Sequence, residues 1–178
     1  MSKTDYTLFI VLQVFAWIIF VGLSIEAGGL MVNFVFSIFS PDMLPRLYNK
    51  LDLTGIFNQS SAAYYGLYSF ILIISLLKAV LFYEVIKLTW TLKLDHPFTQ
   101  TVARQIARIS YFTLCIGLLS FIGRQFAKQV ERGGFNTSFL DLYWNDSQAF
   151  VLMAAVIYII AAIFKRGVEL QDEHDLTV

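Results

Sequence analysis

The chain has 178 residues, room for one domain, and 57% of them are apolar while only 15% are charged; soluble proteins run nearer to about 45–50% and about 25%. Its 13 basic and 13 acidic residues cancel, so net charge gives no reason to expect direct nucleic-acid binding. The single cysteine, Cys115, excludes an internal disulfide and CxxC thiol chemistry.

The first apolar run extends from Leu8 to Phe39. At 1.5 Å per residue it reaches roughly 48 Å, more than the roughly 30 Å of a bilayer core. Either Gly28-Gly29 breaks the helix, leaving a span of 8–28 with the remainder near the interface, or one projecting or bent helix continues; the second is expected. A signal peptide has an apolar core of about 7–15 residues and a small-residue cleavage site, so this start reads as a retained anchor. The following segment carries Pro41, Pro45 and Gly55 and reads as a loop.

The second run covers Ala62 to Trp90. After it, Asp95-His96-Pro97 reads as a turn, because a residue before proline avoids the helical region. Thr99 is placed to N-cap a helix entering the third run, Ile106 to Phe126. Arg104 and Arg108 are four apart, hence on one helix face, and such a basic stripe attracts anionic lipid headgroups. Gly133 and Gly134 punctuate the next loop. Its FLDLYW stretch reads as a short interfacial helix with Tyr143 and Trp144 at headgroup level.

The fourth run covers Ala149 to Phe164. In lipid each run must be helical, since every backbone polar group needs an internal partner. The expected fold is all-α: one integral membrane four-helix bundle over 1–178, with spans of about 8–28, 62–90, 106–126 and 147–165. A short acidic tail, 167–178, follows. Lys3, Lys87, Lys93, Arg104, Arg108, Lys165 and Arg166 fall on one side. Arg46, Lys50, Lys128 and Arg132 fall on the other, with Arg124 at the membrane edge. That bias puts both termini in the cytoplasm.

His96 and His174 both lie outside the spans. Bis-histidine haem, zinc and di-iron sites therefore lack their ligands, and no cofactor is expected. No Walker loop, HExxH or Ser/His/Asp arrangement is present, so an enzyme is not expected either. Polar residues within spans are costly and hence candidate positions. Glu26 and Arg124 each lie about 27 Å along their helices from one membrane face; at matched depth they form a candidate intramembrane ion pair. Gln13 and Lys78 form a candidate polar site in the inner leaflet, with Lys78 snorkelling to headgroups. Glu84 and Lys87, three apart, read as an interfacial pair. Gly22, Ala27, Gly28 and Gly29 offer small surfaces for close helix approach.

Two segments, PFTQTVARQIARIS after the second span and FKRGVELQDEHDLTV after the fourth, are similar to a bacterial family of four-span membrane proteins, domain of unknown function 2975. The resemblance covers nearly the whole length. His174 departs from it, standing where relatives more often carry Asn. The family brings no catalytic residues to carry over. Its members are often encoded beside small helix-turn-helix regulators of the Cro/CI kind, so the resemblance implies a membrane partner for a transcription factor.

The tail alternates acids with Val168, Leu170, Leu176 and Val178, which purely solvating segments have in smaller number. It is expected to dock on the hairpin of residues 84–108, with Glu169, Asp172, Glu173 and Asp175 facing Arg104 and Arg108. The functional expectation is a non-enzymatic membrane sensor or scaffold. Its partners are membrane lipids and a small cytoplasmic helix-turn-helix regulator. A small transporter or channel subunit is the alternative. Oligomeric state is not legible in the sequence.

Overall fold

The computed structural model describes residues 3–40, 53–92 and 97–175. Residues 41–52 with Arg46 and Lys50, Lys93, most of the expected 95–97 turn, Leu176 and Val178, and the side chains of Lys3, His174 and Asp175 lie outside them. The described residues are helical, with no strand: α1 (Lys3–Phe39), α2 (Thr54–Gln59), α3 (Ser61–Thr91), α4 (Gln100–Arg132), a 3-10 turn (Ser138–Leu140), α5 (Asp141–Trp144) and α6 (Ser147–Asp175). Four stretches are long and apolar enough to cross a membrane: Phe9–Phe39, Ser61–Thr91, Gln100–Arg132 and Ser138–Glu173.

Local sequence sets the helix ends. Thr99, in extended conformation, accepts the Val102 amide on its hydroxyl at 3.3 Å, the N-cap its position predicted. Ser60 does the same for Ala63 at 3.3 Å. α4 stops at Gly133-Gly134, where Gly134 adopts φ +94, a conformation that L side chains avoid. Gly28-Gly29 does not break α1, which runs unbroken for 37 residues, about 55 Å. The long first run is thus one helix.

The long helices pack in chain order, antiparallel at each step: α1 on α3, α3 on α4, α4 on α6. Trp17 meets Trp90 at one end of the α1/α3 pair, while the Tyr65 hydroxyl donates to the Ser37 carbonyl at the other. The start of α1 and the end of α6 therefore share one end of the bundle, called here the termini end. α1 buries a narrow stripe, Ala16, Ala27, Leu30, Asn33 and Ser37, and exposes apolar side chains elsewhere. That pattern suits a helix bathed in lipid, where association rests on close packing rather than on escape from water.

The fourth column is composite. Gly117, near the middle of α4, faces Ser147 and Val151 at the very start of α6. The space beyond Ser147, towards the far end, is filled by the 3-10 turn and α5. Trp144 and Leu140 are completely buried there. A Cβ on Gly123 would stand 2.7 Å from the Trp144 ring, so only glycine admits that ring. FLDLYW is short helical structure as its sequence suggested, but Trp144 belongs to the core instead of the headgroup layer. At this far end Tyr64, Leu67, Tyr68 and Ile71 join Leu53 and Ile56 in one buried cluster.

Candidate functional site

At the termini end, charge enters the helix interfaces. α3 presents Glu84, Lys87 and Thr91 at spacings of three and four, one face of one helix. α4 runs past it carrying Gln105 and Arg108. Glu84 is buried, its side chain 7% exposed, and its Oε1 lies 3.2 Å from Lys87 Nζ and 3.6 Å from Arg108 Nη1. The Gln105 amide donates to Thr91 Oγ1 at 3.1 Å. Two buried acceptors in this cluster, Glu84 Oε2 and Gln105 Oε1, have no hydrogen-bond partner. Lys87 also sits 4.3 Å from the centre of the Tyr83 ring, and Tyr83 stacks on Phe20 of α1 at 5.9 Å. One buried carboxylate thus gathers contacts that reach α1, α3 and α4. A buried charge held by imperfect partners is costly, and such groups mark functional positions in membrane helices.

The adjoining face of α4 lines a groove with α6. Its volume is about 450 Å3. Arg104, Lys165, Arg166 and Glu169 lie at its termini end, Ala103, Ala107, Ala161 and Ala162 along its sides, and Tyr111 and Tyr158 deeper in. The two tyrosine rings are 6.2 Å apart. Arg166 Nη1 is 2.7 Å from Glu169 Oε2 on its own helix.

The tail is a continuation of α6. Helix persists to Asp175, and a Cβ on Gly167 would meet the Phe98 ring at 2.6 Å, so the tail's first turn is packed against the segment that starts α4. The tail thus meets the expected segment 84–108 through Phe98, but not through the expected charge pairing. Glu169 shares a groove with Arg104, but its ion pair is with Arg166, and Arg108 is engaged by Glu84. Asp172 and Glu173 are exposed on the α6 extension. The physical reason is local: the i, i+3 Arg166–Glu169 pair and the Gly167–Phe98 contact hold residues 164–175 in helix, which cannot fold back.

The two other predicted polar pairs fare differently. Glu26 and Arg124 keep their similar depth: Arg124 follows Gly123, whose neighbour on α3 is Phe70, and Glu26 lies one turn from Leu30, whose carbonyl accepts from Tyr68. Yet α1 and α4 both pack on α3 rather than on one another. Arg124 Nε is buried without a hydrogen-bond partner. Gln13 and Lys78 are not brought together. Gln13 precedes Trp17, which meets Trp90, whereas Lys78 lies about 18 Å along α3 from Trp90. Lys78 Nζ stands instead 5.7 Å from the centre of the Phe150 ring on α6.

Sequence reasoning placed Glu84 with Lys87 but missed Arg108 as its cross-helix partner. The signal was available, because both residues lie about two turns from the same loop. Lys165 and Arg166 were counted for topology and not recognised as groove residues.

Residues 46–178 match the family model described as protein of unknown function DUF2975. The chain belongs to this family. The matched DUF2975 region contains all of α2 to α6, and with them Glu84, Arg108 and the α4/α6 groove. No curated protein and no solved structure matches the chain.

Proposed function

We propose that this membrane protein is a non-enzymatic sensor or scaffold of the bacterial inner membrane. Both termini are cytoplasmic, and its termini end engages a small helix-turn-helix regulator. The observation that carries this reading is the continuity of α6. The helix starts against Gly117 in the middle of the bundle and runs unbroken to Asp175. A shift of α6 against α4 is therefore transmitted along a rigid rod to Asp172 and Glu173. Those exposed carboxylates are suited to a basic protein surface, as a DNA-binding regulator carries. Membrane lipids supply the surroundings of the bundle.

A transporter or channel subunit needs a continuous polar lining. The buried hydroxyls of Ser110 and Thr113 are instead spent on helix carbonyls, at 2.8 Å to Ala154 and 2.8 Å to Ile109. Ile71, Ile74 and Ile116 are fully buried between the helices.

Co-purification from native membranes tests the reading. The full chain should retain a helix-turn-helix protein, and a chain lacking residues 172–178 should lose it while inserting normally. Equal recovery with both chains removes the tail from any signalling role. A reporter fused after residue 178 that is active only outside the cytoplasm defeats the topology.

A further inference from the structure

We infer that the groove between α4 and α6 is a binding site for one acidic phospholipid of the leaflet at the termini end. Three cations, Arg104, Lys165 and Arg166, line it against one carboxylate, Glu169. Glu169 is already committed to Arg166 at 2.7 Å. Arg104 Nε donates to the Gln100 carbonyl of its own helix at 3.3 Å, which leaves the rest of the guanidinium for a ligand. Lys165 is exposed and forms no ion pair among the described residues. The groove therefore keeps two uncommitted positive charges.

Its axial order identifies the ligand as an amphiphile. Tyr111 is seven residues from Arg104 on α4, and Tyr158 is seven from Lys165 on α6. Both offsets are about 10 Å, and both point into the membrane, because the two helices are antiparallel. Charge thus sits at the groove's mouth and a pair of half-exposed tyrosine rings about two turns further into the membrane, with Ala107, Ala161 and Ala162 between them. That order matches a phosphate headgroup above the first segment of an acyl chain. A free phosphate would use the mouth and leave the tyrosine pair without purpose. Basic pockets between membrane helices on the cytoplasmic side bind anionic headgroups in this way. The inference is independent of the regulator proposed above.

The test uses the full chain in nanodiscs of equal mole fractions of phosphatidylglycerol and phosphatidylcholine, followed by detergent extraction and native mass spectrometry of retained lipid. The wild-type protein should keep phosphatidylglycerol in preference to phosphatidylcholine. Arg104→Gln with Lys165→Gln should cut that preference by roughly fivefold per cation removed. Lys128→Gln with Arg132→Gln, which removes the same charge at the far end, should leave it unchanged. Ala162→Trp fills the groove without altering charge and should also abolish retention. Equal retention by wild type and the Arg104/Lys165 double variant overturns the site. So does an unaltered preference in Ala162→Trp, which would mean diffuse attraction to the membrane surface. Displacement of the lipid by inorganic phosphate overturns it in favour of a small-anion site.

Discussion

Arg108 Nη1 lies 3.6 Å from Glu84 Oε1, joining α4 to α3 through a carboxylate that is almost wholly buried beside an arginine that is 58% exposed. The asymmetry matters more than the distance. Glu84 was desolvated on folding and keeps one oxygen without a partner, whereas Arg108 retains most of its hydration. Removing each partner should therefore have opposite consequences. Arg108→Leu strands a buried charge with Lys87 alone and should destabilise the protein by about 1–3 kcal/mol. That is below the roughly 3–5 kcal/mol of a fully enclosed pair, since Arg108 is solvated. Glu84→Leu removes the desolvated group itself and should be neutral or stabilising. Thermal unfolding in detergent, followed by size-exclusion recovery, compares the two. Equal losses would mean that the carboxylate is not the strained member.

Gly117 and Gly66 both lie at helix crossings but should respond differently to a methyl group. A Cβ at Gly117 would stand 2.8 Å from Val151 Cγ2, 3.0 Å from the Val151 amide nitrogen and 3.1 Å from the Ser147 carbonyl oxygen. Backbone cannot step aside, so Gly117→Ala must push α6 away from α4 and should cost about 1–3 kcal/mol. At Gly66 the obstruction is the far edge of the Phe126 ring at 2.7 Å. A ring turn relieves it, and the gain in helix propensity of about 1 kcal/mol offsets the remainder. Melting of the two single variants decides this, and a more damaging Gly66→Ala would contradict it.

Trp144 is fully buried, and its indole N–H has no hydrogen-bond partner. Trp144→Ala should cost about 3–5 kcal/mol through the cavity it leaves against Gly123. Trp144→Phe keeps much of the ring, discards the unpaired donor, and should cost far less. Both variants also remove the most enclosed of the three tryptophans. The remaining fluorescence, from exposed Trp17 and Trp90, should shift to longer wavelength, and an unshifted spectrum would show that Trp144 is not shielded.

Phe98 ties the start of α4 to α6 through Gly167 and through Phe164, 5.2 Å away ring to ring. Phe98→Ala should loosen the α6 extension while leaving the bundle assembled. Limited proteolysis after residue 166 should accelerate with little change in melting temperature. A large drop in melting temperature would show that this contact belongs to the fold rather than to the extension.

Sequence alone determined that this chain is helical and membrane-bound, and where its helices begin. Those properties follow from short-range physics: lipid permits only internally satisfied backbone, and Thr99 reaches its own cap within three residues. It also gave the depth of Glu26 and Arg124, because rise along a helix is fixed. It could not give azimuth. Whether Arg124 faces α1 or α3, or Glu84 meets Arg108, depends on which helices are neighbours. In lipid, all-apolar helix surfaces carry no stripe that announces a partner. The Gln13–Lys78 reading failed for a related reason, since α1 could slide along α3 without changing its own composition. Tertiary packing fixed that offset through Trp17–Trp90 and Tyr65–Ser37. It likewise drew Trp144 inward through the gap left by Gly123, and aligned Arg104 with Lys165 at the mouth of one groove. Residues about 60 apart in the chain share that mouth only because α4 and α6 run antiparallel.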